Sequence, residues 1–221
     1  MINKELIAEI KGIRGTWKDI YRACLNTIGK NTDREPSSEW KRKILISEHS
    51  PIRKLNVQAK WTNLWYWVST HFVRHKFGIE HFISTQRVDR TKENRNEKPQ
   101  NAHVMHEIDA NAQSIINISR KRLCYCASPE TREAWQTFLN ELREYEPELT
   151  SVCVKECVYR GFCPEFYSCG YTDKSYKKFR DEVEIYRKNI NGYGTKEQIE
   201  REINYLNDRL NVINSNFELK A

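Results

Sequence analysis

The segment VRHKFGIEHFISTQR, at residues 73–87, decides how the rest of the chain is interpreted. It begins with two cations and an imidazole, at Arg74, His75 and Lys76, and after seven further residues it offers a hydroxyl at Ser84. Arginine binds planar anions through two parallel hydrogen bonds, and histidine can gain or lose a proton near neutral pH. The segment therefore predicts a site for a phosphate or another anionic group, with a solvated basic turn as the ordinary alternative.

A second polar pattern, NAQSIINISRKR at residues 111–122, favours the binding-site interpretation. It follows Arg95 and Pro99, and its residues have the three-to-four spacing of a helix. One predicted helical face carries Asn111, Ser114, Ile118 and Arg122, and a neighbouring face carries Gln113 and Asn117. Amides on an otherwise apolar helix must find hydrogen-bond partners, either in the protein core or on a ligand.

Together these motifs resemble those of the flavin-dependent thymidylate synthases. That family has Arg-His-Arg, seven further residues and then Ser-x-Arg, and this chain has Arg74-His75-Lys76 and Ser84-Thr85-Gln86 at the same spacing. The family also has an Arg-x-x-x-Pro element sixteen residues before an Asn-rich helix, which matches Arg95 and residues 111–122. Residues 47–49 and 127–132 resemble two more family elements, so the resemblance covers roughly residues 45–135.

The chain departs from the family pattern at several contact positions. The differing residues are His71, Lys76, His81-Phe82, Gln86 and Gln113. Lysine keeps the charge of an arginine but loses its planar fork, whereas glutamine loses the charge as well. Gln86 stands where the family has a phosphate-binding arginine, although Arg87 follows it directly. Because these positions are nucleotide and flavin contacts, modification of another pyrimidine nucleotide stays open as an alternative.

The resemblance implies an FAD-dependent enzyme that methylates C5 of dUMP to give dTMP, with methylenetetrahydrofolate as carbon donor and NADPH as reductant. It also implies a homotetramer with flavin sites where subunits meet. The implied catalytic residues are Arg122, which would stabilise charge on the uracil ring, Arg95 and His49. The implied FAD contacts are Arg74, His75, Lys76, Asn111, Gln113 and Asn117. The implied nucleotide contacts are His71, Ser84, Thr85, Gln86, Arg87, Arg95 and Arg122.

Composition fits one enzyme subunit of 221 residues with 30% charged residues and a net charge of +7. That charge suits anionic partners but does not separate nucleotides from nucleic acids. With no run of eighteen apolar residues and no secretory signal pattern, we expect a cytoplasmic protein without a membrane partner. The enzyme motifs define a predicted domain at residues 1–150, and residues 151–221 are predicted to add a Cys-rich segment and a C-terminal helix packed on the same domain.

The resemblance implies an α+β fold, in which helices pack on a small, mostly antiparallel sheet and a helical extension follows, and hydrophobic periodicity predicts the individual elements. The predicted helices are residues 3–28, 36–48, 63–73, 104–126 and 129–146, and the predicted strands are residues 55–61 and 80–89. A capping-box pattern at Thr195 opens a last predicted helix, whose heptad-like stripe ends at Ile213. That stripe predicts packing or an oligomer contact.

The cysteines form a separate pattern in the C-terminal part of the chain. Four of the seven lie within seventeen residues, at Cys153, Cys157, Cys163 and Cys169. Disulfides are rare in the cytosol, so the pattern predicts either a structural zinc site or a set of reduced, buried thiols. Cys124 and Cys126 are alternative zinc ligands. Combined with the net positive charge, zinc binding supports a second hypothesis, a basic nucleic-acid-binding protein.

Overall fold

The computed structural model describes residues 5–188, and its centre is a four-stranded antiparallel sheet with strand order β1-β2-β4-β3. The strands are β1 (Ile7–Arg14), β2 (Asn56–Trp65), β3 (Ile79–Ile83) and β4 (His103–Asn111). This arrangement confirms the predicted α+β class with a small antiparallel sheet. The predicted helix from Thr195 to Ile213 lies outside the described residues.

The helices surround this sheet, and the C-terminal ends of α3 (Tyr66–Phe72) and α5 (Ala112–Arg122) position the residues of the candidate site. Their bounds are α1 (Trp17–Asn26), α2 (Ser38–Ile46), α3 (Tyr66–Phe72), α4 (Val88–Thr91), α5 (Ala112–Arg122), α6 (Pro129–Arg143), α7 (Pro147–Ser151), α8 (Glu156–Arg160), α9 (Tyr171–Lys174) and α10 (Tyr176–Lys188). Two 3₁₀ helices cover Ser50–Lys54 and Arg95–Glu97. Among residues 5–188, no helix is long and apolar enough to cross a lipid bilayer.

The predicted helix at residues 3–28 is wrong in its first half, which forms strand β1. Gly15, with a φ of +84°, ends that strand where any side chain would overlap the carbonyl of Lys54. Thr16 then caps α1 through a capping box with Asp19. The apolar spacing fits a strand followed by a helix, and the glycine and the cap decide where one ends and the other begins.

The predicted helix at residues 104–126 is also wrong in its first part, which forms the central strand β4. Along β4, Val104, His106, Ile108 and Ala110 are buried in alternation, as expected for a strand with one face on the core. The polar His106 interrupts the apolar series, which obscures this period of two in the sequence. Likewise, the predicted strand at residues 80–89 ends at Ile83, and α4 follows.

The core lies between the sheet and α6, where large aromatic side chains meet. The ring of Trp61 on β2 is 5.1 Å from that of Phe72, 6.0 Å from that of Trp135 and 5.4 Å from that of Phe138. The Trp61 indole donates to the carbonyl of Ala134 at 2.8 Å, so its buried N–H is satisfied. This packing fixes α3 against the sheet and thereby positions the residues that follow α3.

Candidate active site

Arg122 and His75, which lie 47 residues apart in sequence, meet at the C-terminal ends of α5 and α3. Arg122 Nε donates to His75 Nε2 at 2.8 Å, and its Nη2 donates to the carbonyl of His71 at 2.7 Å. The side chain of His71 is held in turn by Thr131 on α6, with 3.0 Å between Nδ1 and Oγ1. The structure therefore joins three of the predicted site residues in one hydrogen-bonded cluster.

The guanidinium of Arg122 is half-buried and keeps donors for a ligand. A guanidinium has five N–H donors, and the two bonds above use two of them, so three remain. Burial lowers the pKa of Arg122, and the nearby Arg74 lowers it further. Among residues 5–188, neither of these guanidiniums pairs with a carboxylate. Two like charges held near each other without a counterion favour the binding of an anion.

His75 is uncharged at neutral pH and accepts the hydrogen bond from Arg122. Burial lowers its pKa to about 4, with smaller contributions from Arg122 and His81. Because Nε2 accepts from the guanidinium, the single proton of the neutral ring lies on Nδ1. Burial, then Arg122 and Arg74, likewise lower the pKa of His71. The His75 imidazole therefore holds the guanidinium by accepting from it, whereas His71 holds it through its backbone carbonyl.

Behind His75, a chain of hydrogen bonds runs into the core. His81 Nε2 lies 2.9 Å from the carbonyl oxygen of His75, His81 Nδ1 lies 2.9 Å from His106 Nε2, and His106 Nδ1 lies 2.9 Å from Ser69 Oγ. A carbonyl only accepts, so His81 Nε2 must donate to it. If His81 Nδ1 accepts, His106 Nε2 donates to it, and the Ser69 hydroxyl donates to His106. We call His81, His106 and Ser69 the histidine relay.

The histidine relay was not predicted from the sequence as a functional group. His81 was noted only as a departure from the family pattern, and His106 was assigned to a helix. The available signal was a histidine inside a buried, alternating strand, because a fully buried imidazole must have polar partners. Burial, with a smaller contribution from His81, lowers the pKa of His106 to about 3.

Asn111, an implied FAD contact, has a structural role at the start of α5. Its side-chain oxygen accepts from the backbone N–H of Ser114 at 2.9 Å, which makes it the N-cap of that helix. Its side chain also covers Gly78, whose φ is +69° and where a Cβ would overlap the Asn111 amide. Asn111 therefore joins the segment after α3 to the helix that carries Arg122.

The other two amides of α5 belong to a cluster around Glu48. Gln113 Nε2 donates to Glu48 Oε2 at 2.5 Å, and Asn117 Oδ1 accepts from Arg120 Nη1 at 3.2 Å. Arg120 forms an ion pair with Glu48 and lies 3.6 Å from the ring centre of Tyr159. Glu48 itself has a φ of +51°, a conformation that non-glycine residues adopt rarely. The predicted flavin contacts Gln113 and Asn117 thus already have partners within the protein.

His49 and the 84–101 loop carry the remaining predicted residues. Exposed His49 precedes the 3₁₀ helix Ser50–Lys54, and exposed Arg95 opens the next one. In the loop, Ser84 accepts from the N–H of Met105 at 3.1 Å, Thr85 accepts from the N–H of Arg87 at 3.2 Å, and Gln86 is half-buried. Arg87 pairs with Asp89 through bonds of 3.0 and 2.7 Å. Among residues 5–188, no hydrogen bond joins these side chains to Arg122.

The structure divides the four cysteines of the predicted zinc site. Cys153 is buried, donates to the carbonyl of Leu149 at 3.3 Å and faces a 440 Å³ cavity between α6 and α10. Cys157, Cys163 and Cys169 instead surround a small cavity together with Cys124. Within residues 5–188, no three His, Cys, Asp or Glu side chains are already arranged to hold a metal ion. Cys153 therefore lines a different cavity from the other three predicted ligands.

The whole fold was compared with known structures and sequences. Thymidylate synthase X (ThyX) from Helicobacter pylori, in a structure with FAD and dUMP, matches with a TM-score of 0.56 and 12% identity over 68% of this chain and 100% of that one. A second structure of flavin-dependent ThyX from the same organism, complexed with FAD and dUMP, matches with a TM-score of 0.54 and 15% identity over 67% and 100%. This chain has a ThyX-like fold. No family model and no curated protein matches the sequence.

Proposed function

We propose that the protein is a flavin-dependent thymidylate synthase-like enzyme. It would methylate C5 of dUMP to give dTMP, with FAD as cofactor, methylenetetrahydrofolate as carbon donor and NADPH as reductant. The observation that carries the proposal is the Arg122 cluster. Arg122 and Arg74, which pair with no carboxylate of residues 5–188, lie near each other at positions that match the family motifs. The ThyX-like fold supports the same activity.

The residues around Arg74 fit the charge of FAD. Arg74 and Lys76 are exposed cations that follow the last turn of α3, and they would hold the pyrophosphate. When bound, the reduced flavin would supply the hydride for the reaction. Gln113 and Asn117 would contact it only after giving up partners in the Glu48 cluster. We therefore assign FAD binding mainly to Arg74, Lys76 and the exposed side of His75.

Arg122 would act on the pyrimidine. Negative charge would develop on the uracil ring as C5 is activated as a nucleophile, and a permanently charged guanidinium with three remaining donors would stabilise it. His75 and the carbonyl of His71 hold the group in place beforehand, so little reorganisation is needed at the moment of reaction. Arg95, Ser84 and Arg87 would hold the nucleotide phosphate, and His49 would line the folate or nicotinamide side.

A related reaction on a different pyrimidine nucleotide is the second candidate. His81, which stands where the family pattern has asparagine, turns inward to His106 and the carbonyl of His75. Gln86 offers no charge to a phosphate, and Arg87 is paired with Asp89. The loop therefore presents a different set of groups to the nucleotide than the family motif does, which favours altered substrate preference.

The test combines FAD binding, nucleotide binding and turnover. We expect the purified protein to bind FAD and form a multimer, probed by absorbance and light scattering, with a tetramer as the expected assembly. Arg122→Ala should bind FAD normally but lose about 10²–10³-fold in rate. Lys121→Ala, which changes the neighbouring exposed cation, is the matched control and should keep its rate. Protein that stays colourless with added FAD, or Arg122→Ala with normal turnover at saturating nucleotide, would contradict the proposal.

The substrate is then identified by calorimetric titration with dUMP, UMP and dCMP. Weak dUMP binding together with tight binding of another nucleotide would favour the second candidate. Selective dUMP binding that survives Arg87→Ala would show that Arg87 does not hold the phosphate.

A further inference from the structure

Four cysteine side chains surround one small cavity on the side of the protein that carries α8. Cys124 follows α5, Cys157 lies on α8, and Cys163 and Cys169 lie in the loop between α8 and α9. The cavity has a volume of about 10 Å³. That is roughly the space that a single water molecule or ion needs. The thiols thus come from three segments of the chain and enclose an ion-sized space.

The groups around the cavity suit a bound cation with thiolate ligands. Three of its four cysteines lie on or after α8, and Cys124 reaches it from the end of α5. Lys155 also lines the cavity, and a nearby positive charge favours thiolates over thiols. Clustered thiols are poor acids alone, but a bound cation removes their protons.

The loop at residues 161–170, which we call the thiol loop, has little else to hold it. Its aromatic side chains point outward, with Phe162 58%, Phe166 91% and Tyr167 83% exposed. Two side-chain contacts connect it to the segment from α5 onward, namely Glu165 with Lys121 and the carbonyl of Tyr167 with Cys126. A segment that buries so little apolar surface usually needs a covalent or metal cross-link to stay ordered.

We propose that Cys124, Cys157, Cys163 and Cys169 bind one zinc ion, which fastens the thiol loop to the ends of α5 and α8. Zinc accepts four thiolates in tetrahedral geometry at about 2.3 Å, and structural sites of this kind keep no open position. No three side chains of the described residues already have this arrangement, so the ion draws the four sulfurs inward. Cys153, which lines the other cavity, and Cys126, which does not line this one, stay outside the site.

Zinc content tests the proposal independently of FAD or turnover. Full-length protein is reduced, stripped of metal with a chelator and titrated with zinc in competition with a coloured zinc indicator. We expect one zinc per chain and a higher melting temperature on binding. Cobalt added in place of zinc should give the absorption of a tetrahedral thiolate complex. Reduced protein that binds no zinc, or in which these cysteines pair as disulfides, would overturn the proposal.

The ligands are mapped without mutation by alkylating the thiols with and without zinc and locating the adducts by mass spectrometry. Zinc should protect the four proposed cysteines, while Cys24 and Cys126 stay reactive. Cys169→Ser, at an exposed position that tolerates substitution, should weaken zinc binding more than about 100-fold, beyond the loss typical of outer-shell changes. Cys124→Ser should do the same, whereas Cys153→Ala should bind like the wild type. The reverse result for Cys124 and Cys153 would show that the ligand set is wrong.

Discussion

Replacing His106 by glutamine should flatten the pH dependence of folding stability below pH 6.5. His106 is fully buried, 5.8 Å from the ring centres of both Trp61 and Phe72, and its two nitrogens face Ser69 and His81. Burial, and to a smaller extent His81, lower its pKa from 6.5 to about 3. Glutamine can still accept from Ser69 and donate to His81, so the variant removes the titration while keeping the hydrogen-bonding groups.

The sign of the pH dependence follows from comparing the protons that His106 binds in the folded and unfolded chains. Because the folded pKa of His106 is depressed, its contribution is complete above pH 6.5 and is lost as the pH falls towards 3. In that window the unfolded chain holds one more proton, which costs about 1.4 kcal/mol per pH unit, or at most about 5 kcal/mol in total. His75, with a pKa of about 4, adds a similar slope between pH 6.5 and 4. Around pH 5 the two histidines together should give about 2.7 kcal/mol per pH unit, and the variant should lose half of it.

The measurement is urea unfolding at a series of pH values from 4.5 to 7.5, followed by tryptophan fluorescence. His103→Gln is the matched control, because His103 lies on the same strand, β4, and stacks on Trp65 with 4.2 Å between ring centres. The carboxylates titrate alike in all three proteins and cancel in the comparison. Parallel stability curves for wild type and His106→Gln would refute the reasoning, whatever their absolute heights.

Three further predictions concern the positioning of the site. Gly78→Ala should lower the free energy of unfolding by about 1–3 kcal/mol, measured with urea, because a side chain at φ +69° overlaps the cap residue Asn111. Glu48→Gln should cost about 1–2 kcal/mol, since it leaves the half-buried guanidinium of Arg120 without its carboxylate, and unchanged unfolding would contradict the cluster. Arg87→Ala should change stability by less than about 1 kcal/mol. In calorimetry it should weaken nucleotide binding roughly tenfold or more.

The sequence assigned both polar motifs to one site, but it predicted neither the contact between them nor the frame that holds them. The resemblance assigned His75 to FAD and Arg122 to the uracil ring, and the structure joins their side chains at 2.8 Å. Strand β4 could not be recognised, because buried His106 interrupts its apolar alternation and the helix α5 follows without a break. Strand β1 was hidden for a similar reason, since its apolar residues continue the spacing of α1 across Gly15.

Partners were harder to predict than positions. The amides of α5 were expected to bind either a core group or a ligand. Both alternatives rested on the same observation, namely polar amides on an otherwise apolar helix. The partner of Gln113 is Glu48, whose left-handed backbone brings its carboxylate to α5 from 65 residues away. Nothing in a local pattern encodes that approach. In the same way, Cys124 replaces Cys153 beside the small cavity because the chain returns past the end of α5, whereas sequence spacing favours the nearer cysteine.

The histidine relay gives a physical reason for the altered substrate loop. His81 stands at a position of the substrate loop in the family motif, but here its side chain donates to the carbonyl of His75. His75 in turn accepts from Arg122, so the substitution at position 81 contributes to fixing the guanidinium. A cation held through both its Nε and its Nη2 loses little conformational entropy when a ligand binds to the remaining donors. The same exchange removes a polar group from the loop, so under the proposed function selection among pyrimidine nucleotides would depend on Arg87 and its neighbours. Nucleotide preference should therefore respond to changes in the loop, while the orientation of Arg122 should respond to changes in the relay.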